Sequence, residues 1–140
     1  MKNQFFLSCL AACFITSPSF AAETDKSPLA KQMEAMNNAF KAFRTETDPA
    51  KGAAKAREAQ AAALKSALEV PAMLQSMPDG PDKAKALAEY HRMLGKLYVT
   101  LCEVEAAFLD GKVDEVAKIV SSIKEMKKAG HDRFIEEEEK

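Results

Sequence analysis

The sequence predicts an all-α fold, an antiparallel up-down-up-down four-helix bundle. Three observations carry this expectation. Alanine, lysine, glutamate and leucine dominate a chain of 140 residues with no tryptophan and only five glycines, and no run of Val, Ile and Thr bounded by turn residues marks a strand. Apolar residues recur at alternating spacings of three and four along separate stretches, the period of an amphipathic helix. The breaks between those stretches carry helix start and stop residues, and two are tight and one is longer, as antiparallel neighbours require.

The first residues stand apart from the bundle. Lys2, a mostly apolar run over residues 5–15, and the small residues Ser19 and Ala21 read as an export signal spanning 1–21. The bundle domain then occupies 22–140 and works in the periplasm. Leu10-Ala11-Ala12-Cys13 resembles a lipoprotein box, but the apolar run continues past Cys13 and is short ahead of it, which favours soluble export. Cys9 and Cys13 leave with the signal, so Cys102 alone remains and no internal disulfide is available. Cys102 reads as a small filler beside the core rather than a cross-link between chains, and a monomer or weak homodimer is expected.

Ser27-Pro28 is an N-cap followed by proline at the first helical position. Leu29, Met33, Met36, Phe40 and Phe43 then form one apolar seam, which predicts a first helix over about 28–45. Asp48-Pro49 repeats the same start, and the second helix faces inward through Ala56, Ala59, Ala63, Leu64 and Ala67, stopping near Pro71. Residues 71–81, with three prolines and a glycine, predict the long loop of the domain. Its Met73, Leu74 and Met77 should cover something apolar. The third long helix starts near Pro81 and carries Leu87, Tyr90, Leu94, Leu97, Leu101, Val104 and Phe108 along its seam, ending at Asp110-Gly111. The last long helix occupies 111–134, with Val113, Val116, Val120 and Ile123 inward.

Several functions are excluded at this level. A net charge of −1 gives no basic surface for nucleic acid. No run reaches the roughly 18 apolar residues of a membrane span. There is no recognisable Ser/His/Asp motif, phosphate-binding loop or inward carboxylate pair, so no enzyme is expected. An acidic tail, 136–140, extends past the last helix, where its glutamates oppose the macrodipole.

One end of such a bundle draws attention. Met33 lies near the start of the first helix and His131 near the end of the last, so antiparallel packing brings both to a similar level. Met36, Met73, Met77, Tyr90 and Met93 belong to the same end, and all seven residues can gather around one pocket. A thioether opposite an imidazole is a haem-iron pairing that raises the reduction potential and leaves no open coordination site. The chemistry implied is one-electron transfer. His91 falls beside the Tyr90 seam position and is expected on the surface.

The stretches LAKQMEAMNNAF, AQAAALKSA and DGKVDEVA, with the spacing from Gly111 to His131, resemble the cytochrome b562 family. The resemblance runs without gaps through the first two helices and from the third to His131, with a small insertion in the loop between. It implies Met33 and His131 as axial ligands of a non-covalent haem b, a pocket lined by Met36, Phe40, Pro71, Tyr90 and Leu94, and Lys127 placed to meet a propionate. The turn Lys127-Lys128-Ala129-Gly130-His131 lacks both cysteines of the CxxCH motif, consistent with a b-type group. It also departs from the family at Gly130, where an aromatic residue is usual. A glycine there allows close approach of a flat ligand, and it equally suits a turn released from holding one.

Taken singly, a seam methionine is more often packing than ligand, and a histidine near a helix C-terminus often complements the dipole. The joint placement of Met33 and His131, together with the spacing shared with the family, favours a periplasmic electron carrier with an unidentified redox partner. The alternative is a haem-free periplasmic bundle that binds copper through soft thioethers or acts through protein contacts.

Overall fold

The helix boundaries follow from the capping chemistry. Ser27 Oγ accepts from the Ala30 N–H at 3.2 Å and opens α1, Pro28–Phe43. Asp48 Oδ1 accepts from the Lys51 N–H at 3.0 Å and opens α2, Pro49–Ser66. The computed structural model describes residues 26–135. The expected export signal, the lipoprotein box and the acidic tail lie outside them. The remaining helices are α3, Ala72–Ser76; α4, Pro81–Leu109; and α5, Val113–Phe134. No strand occurs among the described residues.

Gly111 ends α4 with a φ of 71°, the left-handed region that glycine enters without a Cβ penalty. Its N–H donates to Phe108 O at 2.9 Å and the Lys112 N–H donates to Ala107 O at 2.8 Å. These two bonds are the Schellman pattern, which satisfies the last carbonyls of a helix and turns the chain directly into α5.

The structure differs from expectation in three places. α1 ends at Phe43, two residues early. The segment expected as one long loop contains α3, a single turn that buries Leu74 completely; three prolines punctuate that segment but leave room between them for five helical residues. Leu64, expected inward, is 52% exposed. The buried face of α2 instead runs through Ala53, Ala56, Ala59, Gln60, Ala63 and Ser66, and Leu64 lies just past its edge.

α1 packs on α2, α2 on α4, and α4 on α5. The main core gathers Phe43, Ala53, Ala56, Ala59, Leu101, Val104, Phe108, Val116 and Ile123. A second cluster, at the other end of α4, joins Leu74, Ala86, Tyr90, Leu94 and Phe134. The alanine face of α2 lets its neighbours approach closely. A polar clasp fixes that contact: Gln60 Nε2 donates to Leu101 O at 3.2 Å and to Glu105 Oε2 at 2.7 Å, and Arg57 Nη1 meets Glu105 Oε1 at 2.7 Å. The Gln60 and Arg57 bonds together hold the Glu105 carboxyl below its ordinary pKa.

The closest approach is at Gly52, where an added Cβ would fall into the ring of the fully buried Phe108. Alanine is favoured over glycine in a helix by about 0.5–1 kcal/mol, but overpacking a filled core costs about 1–3 kcal/mol. Gly52→Ala is therefore expected to lower stability by about 1–2 kcal/mol in urea unfolding.

Candidate functional site

Between α1 and α5 the large apolar side chains enclose a cavity of about 640 Å³, within the range of roughly 300–1,000 Å³ typical of small-molecule and cofactor sites. Its wall takes Met33, Met36 and Phe40 from α1, Pro71 and Met73 from the α3 segment, Tyr90, Met93 and Leu94 from α4, and Lys127 and His131 from α5. Each residue that the family resemblance implies at the haem site thus lines this cavity, as do all but one of the seven expected to gather there. Met77 does not; it packs against the Leu74, Tyr90 and Phe134 cluster instead, because it caps the end of α3, beyond the turn that faces the cavity. His91 is exposed, its ring tilted 5.8 Å from Tyr90.

The last turn of α5 is held in place by α4. Phe134 is buried and packs edge-on against Tyr90, with ring centroids 5.4 Å apart. Arg133 Nε donates to Glu89 Oε2 at 3.1 Å, and its guanidinium lies 5.2 Å from the Phe134 ring centroid. Tyr90 in turn donates its hydroxyl to Ser66 O at 2.8 Å. Burial, with a smaller contribution from Glu69, pushes the Tyr90 phenol up to about 12, so it stays a neutral donor. The chain of contacts from Ser66 through Tyr90 and Phe134 fixes where His131 sits.

His131 is exposed overall yet lines the cavity. Desolvation lowers its pKa from 6.5, Lys127 lowers it further, and Asp132 acts in the opposite direction. At neutral pH its imidazole is uncharged and keeps a free nitrogen lone pair. Lys127 Nζ donates to Asn37 Oδ1 at 2.9 Å, bridging α5 to α1 at the cavity mouth.

The donor set suits a large, flat, mostly apolar group bound through a soft or borderline metal. The wall offers thioethers and one neutral imidazole, and no buried side-chain nitrogen or oxygen among the described residues lacks a partner. Three or more His, Cys, Asp or Glu side chains do not converge anywhere among the described residues, so a bare-metal site would have to rest on thioether sulfur and His131. A Cβ on Gly130 would meet only Met93 Cε, at 3.9 Å. Met93 thus covers the face of α5 that Gly130 leaves bare.

Gly130, expected close to a flat ligand, lines the cavity, and so do Phe134 and Met126, which were not expected there. The signal for them lay in the seam itself: stepping from Ile123 by three, four and four reaches Met126, Gly130 and Phe134.

Fold and cavity together define an all-helical protein built around an apolar binding site. The cytochrome b562 family model matches residues 28–134. The chain belongs to this family of haem-binding helical cytochromes. No curated protein matches it.

The lowered pKa of His131 has a sign that can be checked. The unfolded chain takes up the proton first as pH falls, so this group favours the folded state above about pH 6.5, and that contribution is lost on acidification. The imidazole resonances of the haem-free protein, followed by NMR, should titrate with a midpoint below 6.5 for His131. A midpoint above that value would contradict the desolvated placement.

Proposed function

We propose that this protein is a periplasmic b-type cytochrome, an electron carrier rather than an enzyme, with Met33 and His131 as axial ligands of a non-covalently held haem. The observation that carries the reading is the shared cavity wall on which Met33 and His131 stand among apolar side chains. The reading takes the four long helices as an up-down-up-down bundle. Side-chain links support this: positions rise along α2 as they fall along α4 in the pairs Arg57–Glu105, Gln60–Leu101 and Ser66–Tyr90, and Asn37 near the middle of α1 meets Lys127 late in α5.

Met33 and His131 would hold the haem iron, which would supply a one-electron couple with no position left for oxygen or a substrate. The chain's own residues do the rest. His131 offers its neutral imidazole and Met33 an uncharged thioether, the pairing that raises the potential relative to harder ligands. Met36, Phe40, Pro71, Tyr90 and Leu94 exclude water from the wall. Lys127 supplies positive charge at the mouth, where a carboxylate-bearing group needs it. The absence of a CxxCH motif at His131 favours non-covalent retention.

A second reading, thioether binding of Cu(I), draws on the five methionines of the wall, Met33, Met36, Met73, Met93 and Met126. One experiment separates the two. The purified protein, recorded before and after dithionite, should show a Soret band and sharp reduced bands. Met33→Ala and His131→Ala should each weaken haem affinity at least about tenfold, near 1.4 kcal/mol. A colourless protein that takes up no added haemin would overturn the cytochrome reading, and copper titration would then decide the second.

A further inference from the structure

A second hollow, of about 470 Å³, opens between α1 and α5 and shares Asn37, Phe40, Lys124, Lys127 and His131 with the cavity. Its rim is basic. Lys41 and Arg44 stand at the C-terminal end of α1, and Lys124, Lys127 and Lys128 on α5, against a single acid, Asp132. Asp132 is engaged by Lys128 at 2.6 Å. Lys127 is bonded to a neutral amide oxygen. Lys41, Arg44 and Lys124 take part in no ion pair among the described residues. Glu34, whose carboxyl feels Lys41, is bound to Lys26 at 2.8 Å. In a chain of net charge −1, this is a local excess of positive charge beside the mouth of the proposed haem site.

We propose that this groove docks an acidic face of a protein partner. The inference deepens the cytochrome reading, which gives the docking its purpose, but the binding itself depends only on the groove. Three arguments favour this occupant. The first is size: Asn37 to Arg44 covers two helical turns, about 10 Å at 1.5 Å per residue, which is longer than one small anion can bridge. The second is charge: a bound group with two carboxylates neutralises two cations at most, and Lys41, Arg44, Lys124 and Lys127 form no ion pair among the described residues, so positive charge is left over. The third is shape: the surface is concave, and of the exposed large apolar residues Leu64, Leu68, Val99 and Leu109 lie on or beside α2 and α4, leaving only Ile135 at the end of α5, where one side chain is too little for insertion into a lipid interface. Complementary charge across such a groove sets orientation and association rate more than affinity. A partner seated here stands against the wall that carries His131.

The test titrates the 15N-labelled full chain, with and without haemin, with a synthetic peptide of alternating aspartate and alanine at low salt. Amide shifts should concentrate at Lys41, Arg44, Lys124 and Lys128. The double variant Lys41→Glu/Lys124→Glu should weaken binding at least about tenfold, while Lys85→Glu/Lys96→Glu, which changes net charge equally on an exposed face of α4, should change it less than about twofold. Both variants should keep the wild-type unfolding midpoint. Equal loss in the two variants, or shifts centred elsewhere, would overturn the proposal. Binding to anionic phospholipid vesicles without binding to the peptide would assign the groove to a membrane surface and overturn it too. So would peptide binding that emerges only when residues 136–140 are removed, which would make the chain's own glutamates the occupant. A colourless protein that binds the peptide at the groove sinks the cytochrome reading alone; a haem-loaded protein that does not sinks the docking alone.

Discussion

The fold rests on an asymmetry of side-chain size across the helices. α2 presents alanines to its neighbours, and Gly52 admits the Phe108 ring against bare backbone. The distance between packed helices follows the bulk of the residues at their contact, so α1 and α4 are drawn tightly onto α2. α1 and α5 carry methionines, phenylalanine and isoleucine on their facing seams, and these line a cavity instead of closing it. Small residues close one side of the molecule so that large ones can frame a site on the other.

That arrangement governs the chemistry available. The cavity wall is mostly apolar, with a neutral imidazole, thioethers and the polar side chains of Ser27, Glu34 and Asn37 among its lining, while positive charge stands on Lys124 and Lys127. A flat apolar ligand with an anionic edge meets both features at once. The site is also stiff where stiffness counts. The Ser66–Tyr90 hydrogen bond, the Tyr90–Phe134 ring contact and the Arg133–Glu89 pair lock the end of α5, so His131 is carried on a turn fixed from both sides of the ring stack. Gly130 lies within that turn, and a Cβ there would meet only Met93 Cε, at 3.9 Å.

Much of this was legible in the sequence, because capping and periodicity are local. Ser27, Asp48 and Gly111 each mark a boundary through one hydrogen-bonding or backbone property, and the seams of α1 and α4 were readable residue by residue. Met33 and His131 were expected at one end of the molecule from their places in the first and last helices, and both line the cavity. Features that depend on rotation about a helix axis were less readable. Leu64 is apolar but one step from the buried arc of α2. Met77 shares a segment with Leu74 and Met73, yet α3 turns it away from the cavity. The basic groove was invisible, because Lys41 and Arg44 meet Lys124 and Lys128 only once α1 and α5 are placed side by side.

The account turns on which sulfur faces His131 across the cavity, with five methionines on its wall. Proton NMR of the reduced, haem-loaded protein addresses this directly, because a methyl group on an axial methionine lies over the porphyrin and is shifted far upfield by its ring current. The account predicts one such methyl singlet, lost in Met33→Ala and retained in Met36→Ala and Met93→Ala. A spectrum with no upfield methyl, or one whose signal survives the loss of Met33, would contradict it.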